Sequence, residues 1–541
     1  MLSEIVLPRT GAPILDAPTR DAPKQHVPAR PARIPTRRFA RSGPLALLFG
    51  LLGFAVAAAG SWIPSLWGDE AASIMSAERS WPSLFAMLGH IDSVHGAYYV
   101  FLHVWIDLFG ASAFSVRVPS AIATGLATAG LVILAHRLGG PRVAVVSAIV
   151  YMIIPRVTYM GTEAREYAFT ATCAVWLTVL LVHLVRTRSR SALAWLGYGV
   201  ALAASIYVFL YLAMMVLVHA AIVLSVNRER RMMRRWLLAT VLAVLCAAPA
   251  ISLDLSEGGQ ISFLANRVTV DFTGFFVDQW FWTAQFAIVA WLFILCALGV
   301  FATRWVREWR HRSAPGGPQP GSVGSTDLRS PSFAVVATAW LVIPTVLLVS
   351  VNLVHAVYAA RYLSFVTPAV AMMIAAGICL LTRRWMVVVA VCALVALAAP
   401  SYLHQRGPFG MPGGSDWSEV ASTISSNAQP GDAIVFTEGG SPSQNPRSAK
   451  YLYPQAFQGL DDVTLVTPYE QTTGIWDRTE PVSQAATRLA SGNGRVWLVL
   501  HRGVGTPAHP AELTQLEALG YAVTSTIPEN NDVVYLMQHT P

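Results

Sequence analysis

PLALLFGLLGFAVAAAGSWIPSLWGDEAAS, residues 44–73, is a long apolar run that ends in two adjacent carboxylates, Asp69 and Glu70. A helix crosses a hydrocarbon core with about 20 consecutive apolar residues. The 541-residue chain is 54% hydrophobic and only 13% charged, with a mean hydropathy of +0.50, whereas soluble domains carry about 25% charged residues. The run is therefore predicted to be the first span of a polytopic α-helical membrane protein.

Further apolar runs of spanning length follow, and together they predict about eleven transmembrane helices. Arginine clusters occupy alternate connecting segments, at 137–142, 186–190, 228–235, 304–312 and 383–384. Because positive residues collect in cytoplasmic loops, we expect a multi-pass plasma-membrane protein with a cytoplasmic N terminus and an extracytoplasmic C terminus. The spans are predicted at about 44–64, 118–136, 143–160, 168–185, 192–206, 207–226, 236–254, 279–303, 333–354, 363–382 and 385–400.

The segments around these spans differ in composition. Residues 1–43, rich in Pro and Arg, are predicted to be a disordered cytoplasmic N terminus ahead of a transmembrane domain at 44–400. Within that domain, the long extracytoplasmic loop 67–117 contains an apolar piece, 97–110, that predicts a helix along the membrane surface. A Pro/Gly/Ser-rich linker lies on the cytoplasmic side within 304–332.

Residues 401–541 alternate helix-like and strand-like stretches, which indicates an extracytoplasmic α/β domain. This part lacks GxGxxG and P-loop motifs, so a nucleotide-binding role is not expected. Strands are predicted at 432–436, 462–466, 495–500, 521–526 and 533–538, and helices at 417–427, 481–490 and 511–519.

Composition also excludes several classes of function. The five cysteines all lie within apolar runs, and no Cys/His spacing indicates zinc. The net charge of +8 arises from arginines between the spans, which act as orientation signals, so no nucleic-acid partner is expected. No dedicated metal site is predicted and no cofactor is required, although paired acids would accept a divalent cation.

Asp69 and Glu70 admit two interpretations. Acidic residues near the start of a helix are stabilised by its macrodipole, and this alone would explain the pair. However, the pair follows the first span directly, at the depth of the membrane surface, where a carboxylate without a partner is costly unless it is used. This is also where the head group of a lipid-linked substrate would lie.

Two short loops on the same predicted side carry further ionisable and aromatic residues. Arginine can pair there with a carboxylate or bind a phosphate with its fork of donors, and aromatic residues can also serve only as interfacial anchors. The stretch SVHGAYY (93–99) adds a histidine and two tyrosines, and a lone histidine is commonly structural. The candidates are Glu163, Arg165, Glu166 and Tyr167 in GTEAREY, His355, Tyr358, Arg361 and Tyr362 in HAVYAARYLSF, and His95, Tyr98 and Tyr99.

The order of these motifs resembles the family 39-like membrane glycosyltransferases of the GT-C superfamily. The matching stretches are the acidic pair after the first span, H-x-x-Y-Y, LFGASAFSVRVPSAIATGL, EAREYA and ARYLSFVTPA. SDWSEVASTISSNAQPGDAIVF is also similar to the outer domain of many members. One departure concerns His95, because Gly96 and Ala97 follow it where the family usually has two prolines.

The resemblance implies inverting transfer of a sugar from a polyprenyl-phosphate carrier to an acceptor outside the cytoplasm. It implies that Asp69 is the catalytic acid residue of the first loop, acting as general base, with Glu70 beside it. Stabilising the leaving phosphate is a role that Arg165 or Arg361 can fill. The other candidates would line the substrate site: His95, Tyr98, Tyr99, Glu163, Glu166, Tyr167, His355, Tyr358 and Tyr362.

The amino-acid composition of the chain is the only sequence evidence on the identity of the sugar and the acceptor. It is typical of a high-GC bacterium such as an actinobacterium. We expect a mannosyltransferase that acts on a cell-envelope glycolipid or polysaccharide, such as lipoarabinomannan, in cell-wall biogenesis. Arabinofuranosyl transfer and protein O-mannosylation are alternatives with the same chemistry. A lipid or sugar transporter, or a non-catalytic scaffold, are alternatives from other classes. A transporter would place ionisable groups near the bilayer midplane. The predicted spans are almost free of acidic residues, which argues against a transporter.

Overall fold

The computed structural model describes residues 39–226, 229–256, 271–313, 331–438, 442–502 and 510–540. Nearly all of the N-terminal segment predicted to be disordered, 1–43, lies outside these ranges. Within the predicted linker 304–332, residues 304–313 continue the helix Ala284–Ser313, and 314–330 lie outside the described residues.

The first part of the chain is a bundle of apolar helices. Seven are long and apolar enough to cross a membrane, and four shorter apolar helices, Ser42–Ala58, Pro141–Ile153, Ala192–Val208 and Leu210–Ser225, coincide with the remaining predicted spans. The polytopic α-helical fold is thus confirmed, whereas the count of eleven spans stays a prediction. The helices are Phe39–Ala58, Ala113–Gly139, Pro141–Ile153, Pro155–Met160, Tyr167–Thr187, Ala192–Val208, Met215–Ser225, Arg230–Ser256, Ala284–Ser313, Phe333–Asn352, Thr367–Cys379 and Arg384–His404.

Small residues bring the first helix, Phe39–Ala58, close to the helix Ala113–Gly139. A Cβ atom added to Gly125 would lie 2.7 Å from the carbonyl oxygen of Gly50, so the two backbones are in direct contact. Such small-residue contacts are the usual means of close helix packing in membranes, where burial of apolar surface gives no drive between helices. The opposite side of the first helix exposes leucines, as expected of a surface that faces lipid.

The loop 67–117 folds into three helices, Gly68–Ala77, Trp81–Leu88 and Gly96–Phe109. The last of these is the apolar piece predicted to be helical. His103 lies on its buried side, where Nδ1 is 2.7 Å from the carbonyl oxygen of Ala77. Leu108 and Phe109 are exposed, so the end of this helix presents apolar side chains at the protein surface.

The C-terminal part is an α/β domain, as predicted. Its helices and strands are Trp417–Asn427, Ser448–Leu452, Ala486–Ala490, Ala511–Ala518, β1 (Ala433–Phe436), β2 (Asp461–Asp462), β3 (Leu465–Thr467), β4 (Arg478–Thr479), β5 (Arg495–His501), β6 (Tyr521–Pro528) and β7 (Asp532–His539). The five-stranded sheet has the order β2-β1-β5-β7-β6, with β1 parallel to β2 and β5, and β7 antiparallel to β5 and β6.

Two details of the predicted pattern are wrong. The strand predicted at 462–466 is split into β2 and β3, which belong to different sheets. The chain leaves the first sheet at Thr464, whose hydroxyl accepts a hydrogen bond of 2.9 Å from Arg447. The helix predicted at 481–490 is confined to Ala486–Ala490.

The C-terminal domain docks on the first loop. Ser415 Oγ donates to the carbonyl oxygen of Leu66 (2.7 Å), and the Leu66 N–H donates to the Tyr453 hydroxyl (3.0 Å). Arg79 Nη1 donates to the carbonyl oxygen of Thr472 (2.8 Å). Apolar residues of both parts also form one continuous core. The start of the helix that carries Asp69 is therefore held by both domains.

Candidate active site

Asp69 lies in the first turn of the helix Gly68–Ala77 and forms an ion pair with Arg361. Arg361 Nη1 donates to Asp69 Oδ2 at 2.5 Å. The side chain of Asp69 is 18% exposed and that of Arg361 is 27% exposed. This ion pair is therefore partly open, and both side chains can be reached from outside the protein.

Glu70 is enclosed. Its carboxylate accepts hydrogen bonds from Arg117 Nε (2.7 Å) and Nη2 (2.6 Å), and from the backbone N–H of Ala164 (2.9 Å). Both side chains of the pair are completely buried. Both carboxylate oxygens are therefore occupied by the protein, and the catalytic role predicted for Glu70 beside Asp69 stays a prediction.

Sequence reasoning missed Arg117. Its Nη1 also donates to the carbonyl oxygens of Ser61 and Pro64 at 2.7 and 2.8 Å, so it binds the segment that follows the helix Phe39–Ala58. A detectable signal was present, because an arginine within an apolar run needs a buried partner, and Arg117 interrupts the motif SVRVP.

Arg165 lies beside Asp69 but is held by the protein. Its Nη1 is 3.3 Å from the Asp69 carbonyl oxygen, and its Nη2 is 2.8 Å from His95 Nε2. Since arginine can only donate, Nε2 must accept, which leaves the proton of a neutral His95 on Nδ1. That nitrogen lies 3.0 Å from Glu166 Oε1. His95 thus joins the loop 93–99 to the loop 161–167.

The two glutamates of GTEAREY differ in charge. Burial, reinforced by the negative charge of Asp69, raises the pKa of Glu163 to about 8. Glu163 Oε1 accepts from the Tyr159 hydroxyl at 2.9 Å, and Oε2 has no hydrogen-bond partner among the described residues. Burial also acts to raise the pKa of Glu166, but the contacts with His95 and Arg165 outweigh it and lower that pKa to about 2. At neutral pH, Glu163 is therefore largely protonated and Glu166 is ionised.

Aromatic rings surround the guanidinium of Arg361. Its Cζ lies 5.9 Å from the ring centroid of Tyr167 and 6.0 Å from that of Tyr362. Within the described part of the chain, the hydroxyls of Tyr167 and Tyr98 have no hydrogen-bond partner. Tyr99 is held instead, since its hydroxyl donates to Asp92. Tyr167 thus provides an unpaired hydroxyl next to a partly open cation.

Two predicted site residues lie elsewhere. The hydroxyl of Tyr358 donates to Gln279 Oε1 at 2.6 Å, which places it in a separate buried contact. His355 is exposed in the segment after the helix Phe333–Asn352, and no described side-chain contact joins it to the cluster. Of the segment 355–362, the structure brings Arg361 and Tyr362 to Asp69.

Metal ligands are not grouped in the described part of the chain, where no three His, Cys, Asp or Glu side chains are arranged to hold an ion. The charged groups there pair with one another. Three arginines lie against three carboxylates: Arg117 with Glu70, Arg165 with Glu166, and Arg361 with Asp69.

Fold and site together define a class: a polytopic membrane protein that gathers acids, arginines and tyrosines where a small α/β domain meets its helix bundle. A family model described as dolichyl-phosphate-mannose-protein mannosyltransferase matches residues 97–252. Among solved structures, ArnT from Cupriavidus metallidurans bound to undecaprenyl phosphate aligns with a TM-score of 0.52 and 14% identity, covering 91% of this chain and 98% of that chain. Its apo state aligns with a TM-score of 0.51 and 13% identity over 92% and 98% of the two chains.

Oligosaccharyltransferase from Archaeoglobus fulgidus, in complex with Zn and sulfate, aligns with a TM-score of 0.46 and 11% identity, over 91% of this chain and 72% of that chain. No curated protein matches the chain. The chain shares the fold of ArnT, and part of it matches a mannosyltransferase family model. The predicted fold is thereby confirmed, and the match of residues 97–252 to a mannosyltransferase family model supports the predicted glycosyltransferase class; the sugar and the acceptor stay predictions.

Proposed function

We propose that this chain transfers a sugar from a polyprenyl-phosphate carrier to a cell-envelope acceptor, with Asp69 as the general base. The observation that carries this proposal is the partly open ion pair of Asp69 and Arg361. Inverting transfer needs a base that removes a proton from the acceptor hydroxyl as that oxygen attacks the anomeric carbon. It also needs a cation for the phosphate that leaves. Asp69 and Arg361 supply one of each.

Arg361 is the better candidate of the two arginines for the donor phosphate. Its side chain is 27% exposed, whereas that of Arg165 is 5% exposed. Arginine binds phosphate with two parallel N–H donors. We expect the phosphate to share this guanidinium with Asp69, while Arg165 positions the loops through His95.

The protonated state of Glu163 favours binding of an anion. An ionised Glu163 would place a second negative charge near the Asp69 carboxylate, whose charge already raises the pKa of Glu163. A neutral Glu163 removes that repulsion. ArnT with undecaprenyl phosphate, the fold relative named above, supports a polyprenyl-phosphate lipid as the donor carrier.

The orientation in the membrane, the sugar and the acceptor are proposed from the sequence and from the family model. The arginine distribution favours a cytoplasmic N terminus, with the site and the C-terminal domain on the extracytoplasmic face. The family model names mannose, which supports mannosyl transfer to an envelope glycolipid or polysaccharide. Arabinofuranosyl transfer and protein O-mannosylation are the alternatives, and no metal ion is required.

The test is transfer of radiolabelled sugar from decaprenyl-phosphate mannose, and in parallel from decaprenyl-phosphate arabinofuranose, by the purified full-length chain with an envelope extract as acceptor. Asp69→Asn should abolish transfer. The matched control is Asp107→Asn in the same loop, whose carboxylate is 67% exposed and lies 3.5 Å from His103, and it should transfer as wild type. Equal transfer by wild type and Asp69→Asn would overturn the assignment of the base.

A further inference from the structure

A cavity of about 660 Å³ lies where the helix bundle meets the C-terminal domain. Its walls on the bundle side include Arg156 and Trp282, and the segment 409–414 and Asn530 of the C-terminal domain form the other side. This volume falls within the range of about 300–1,000 Å³ that is usual for small-molecule sites. Arg156 lies near the end of the third predicted span, where an ionisable residue is costly and commonly marks a substrate path.

The guanidinium of Arg156 is held by the protein on one edge only. Its Nε donates to the carbonyl oxygen of Gln279 at 2.9 Å, and its Nη2 donates to that of Asp278 at 3.0 Å. These two donors lie on the same edge of the planar group. Nη1 makes no hydrogen bond with any described residue and is not fully enclosed, although Arg156 as a whole is only 8% exposed. It therefore reaches the surface that Arg156 contributes to the cavity wall.

The charge of Arg156 is not balanced by a direct partner. Within the described ranges, its side chain contacts backbone carbonyl groups and the ring of Trp282, 5.4 Å from Cζ, and forms no ion pair. Asp278 and His404 are the other titratable residues of the walls, and the Asp278 carboxylate is not within ion-pair distance of the guanidinium. The cavity thus offers an unpaired cation, which suits a phosphate, and a separate carboxylate, which suits a hydroxyl group.

Trp282 adds a flat apolar surface to the same wall. Its backbone has a φ of 60°, a conformation that residues other than glycine rarely adopt. Such strain persists only where the surrounding contacts enforce it, and it collects at ligand-binding sites. The side chain is partly exposed in the cavity wall. An indole in this position can pack against the C–H groups of a sugar or polyol ring.

The cavity is connected to the catalytic cluster through Tyr159. The ring centroids of Tyr159 and Trp282 lie 5.1 Å apart, and the Tyr159 hydroxyl donates to Glu163 Oε1 at 2.9 Å. Glu163 is close enough to Asp69 for the charge of that aspartate to raise its pKa. Arg156 also interacts electrostatically with Glu163. One tyrosine therefore contacts both the cavity wall and the carboxylates of the site, so a molecule in the cavity lies beside that site.

We propose that this cavity binds the phosphate-bearing head group of the acceptor lipid, with Arg156 on the phosphate and Trp282 against the adjoining sugar or polyol ring. The inference rests on the proposed function and specifies it further: the acceptor is an anionic lipid and not a neutral polysaccharide. Asp278 accepts a hydrogen bond from a hydroxyl group of the ring. Because the donor phosphate is assigned to Arg361, the chain has two separate phosphate sites.

Binding is measured by isothermal titration of the purified full-length chain with inorganic phosphate, with myo-inositol, and with glycerophosphoinositol, which joins a phosphate to a polyol ring. We expect glycerophosphoinositol to bind the wild type more tightly than either part alone. Equal binding of inorganic phosphate and glycerophosphoinositol would indicate a site for free phosphate and overturn the head-group assignment.

Three variants test the walls of the cavity. Arg156→Gln should weaken binding of glycerophosphoinositol about tenfold or more, because a charged hydrogen bond is lost. Trp282→Gly, in which glycine adopts a φ of 60° without strain, should weaken glycerophosphoinositol binding and leave phosphate binding unchanged. Asp278→Asn, at an exposed position, should tighten phosphate binding because it removes a negative charge. The control is Arg383→Gln, also exposed, which should bind all probes as wild type.

The Asp278 and Trp282 variants keep the proposal testable if Arg156→Gln does not fold, which its thermal unfolding midpoint would show. Arg361→Ala separates the two phosphate sites and should leave glycerophosphoinositol binding unchanged. Loss of that binding in Arg361→Ala with none in Arg156→Gln, or unchanged binding in the Asp278 and Trp282 variants, would overturn the cavity site.

Transfer assays distinguish this proposal from that of the base. Radiolabelled sugar should enter the anionic lipids of the envelope extract, separated by anion exchange, and label found only in neutral products would overturn the anionic acceptor. Asp69→Asn should bind glycerophosphoinositol as wild type but transfer no sugar. Full transfer by Asp69→Asn would overturn the base even if every titration were as expected.

Discussion

Arg361 donates a hydrogen bond to Asp69 although 292 residues separate them along the chain. The contact joins the first loop to the segment that precedes the helix Thr367–Cys379. Arg165 Nη1 lies 3.3 Å from the backbone carbonyl oxygen of Asp69. Three loops that are distant in sequence thus meet at Asp69, and this convergence permits a base and a phosphate-binding cation to act on one substrate.

Arg361→Lys tests whether the fork of the guanidinium matters in addition to its charge. Lysine keeps the positive charge but loses the paired donors, so we expect kcat/KM for the lipid donor to fall about 10–100-fold, and Arg361→Ala to lower it further. Initial rates at varied donor concentration would measure this. Arg383→Lys, at an exposed position outside the cluster, should have no effect, and unchanged donor kinetics in Arg361→Ala would contradict the assignment.

Glu70 and Arg117 should act on stability. Glu70→Gln leaves a buried guanidinium with an incomplete partner, which typically costs about 3–5 kcal/mol. We expect a large drop in the thermal unfolding midpoint of the detergent-solubilised protein. Asp69→Asn should move that midpoint little, because the pair of Asp69 and Arg361 is partly exposed.

The double variant Glu70→Gln/Arg117→Met provides the control for that prediction. Removing both charges eliminates the unpaired cation, so it should recover part of the lost stability. Equal midpoints for Asp69→Asn and Glu70→Gln would show that the two neighbouring carboxylates have the same role, contrary to the structure.

Glu163 should give the protein a specific pH dependence. Its pKa rises from 4.5 to about 8 in the folded state, so the folded chain retains a proton that the unfolded chain loses. The free energy of unfolding should therefore be highest below pH 4.5 and fall as the pH rises through about 8. Glu163→Gln, which mimics the neutral acid, should lack this loss when unfolding is followed between pH 4.5 and 8.5.

Transfer provides a second readout for Glu163. In the wild type, ionisation above pH 8 adds a negative charge beside the phosphate site, so the KM for the lipid donor should rise there. The Glu163→Gln variant should have a flat donor KM over the same range.

Because Asp69 contributes to the raised pKa of Glu163, Asp69→Asn should shift the stability transition to lower pH. An unshifted transition would contradict the electrostatic interaction between Asp69 and Glu163.

The location of the site could be predicted from sequence because ionisable residues beside apolar runs are rare. Asp69, Arg165 and Arg361 each follow or precede a predicted span, and the topology places all three loops on one side. Which of them pair could not be predicted. Asp69 and Glu70 are neighbours, yet successive residues of a helix point in different directions, so one faces Arg361 and the other faces the buried Arg117.

The α/β character of the C-terminal domain was likewise predictable, since short apolar strands alternate there with helical stretches. The docking of this domain on the first loop could not be predicted. The contact surface of the first loop consists of residues such as Leu66 and Met75, which look like ordinary core residues in a sequence. Tyr453 and Ser415 of the C-terminal domain form hydrogen bonds with Leu66, but no sequence pattern marks them as contact residues. Such contacts depend on shape that is formed only after both parts fold.

Gly68→Ala tests whether this docking is needed for transfer. The added Cβ would meet the backbone of Ser443 at 1.9 Å, so the turn Pro442–Gln444 must move away from the residue before Asp69. We expect faster amide hydrogen exchange across 65–79 and 442–453, and a loss of transfer of at least tenfold with the membrane helices unaffected. Gly197→Ala is the matched control, because its Cβ would meet nothing within 4 Å, and alanine is favoured in a helix. If Gly68→Ala exchanged and transferred like Gly197→Ala, the domain would not position the helix of Asp69.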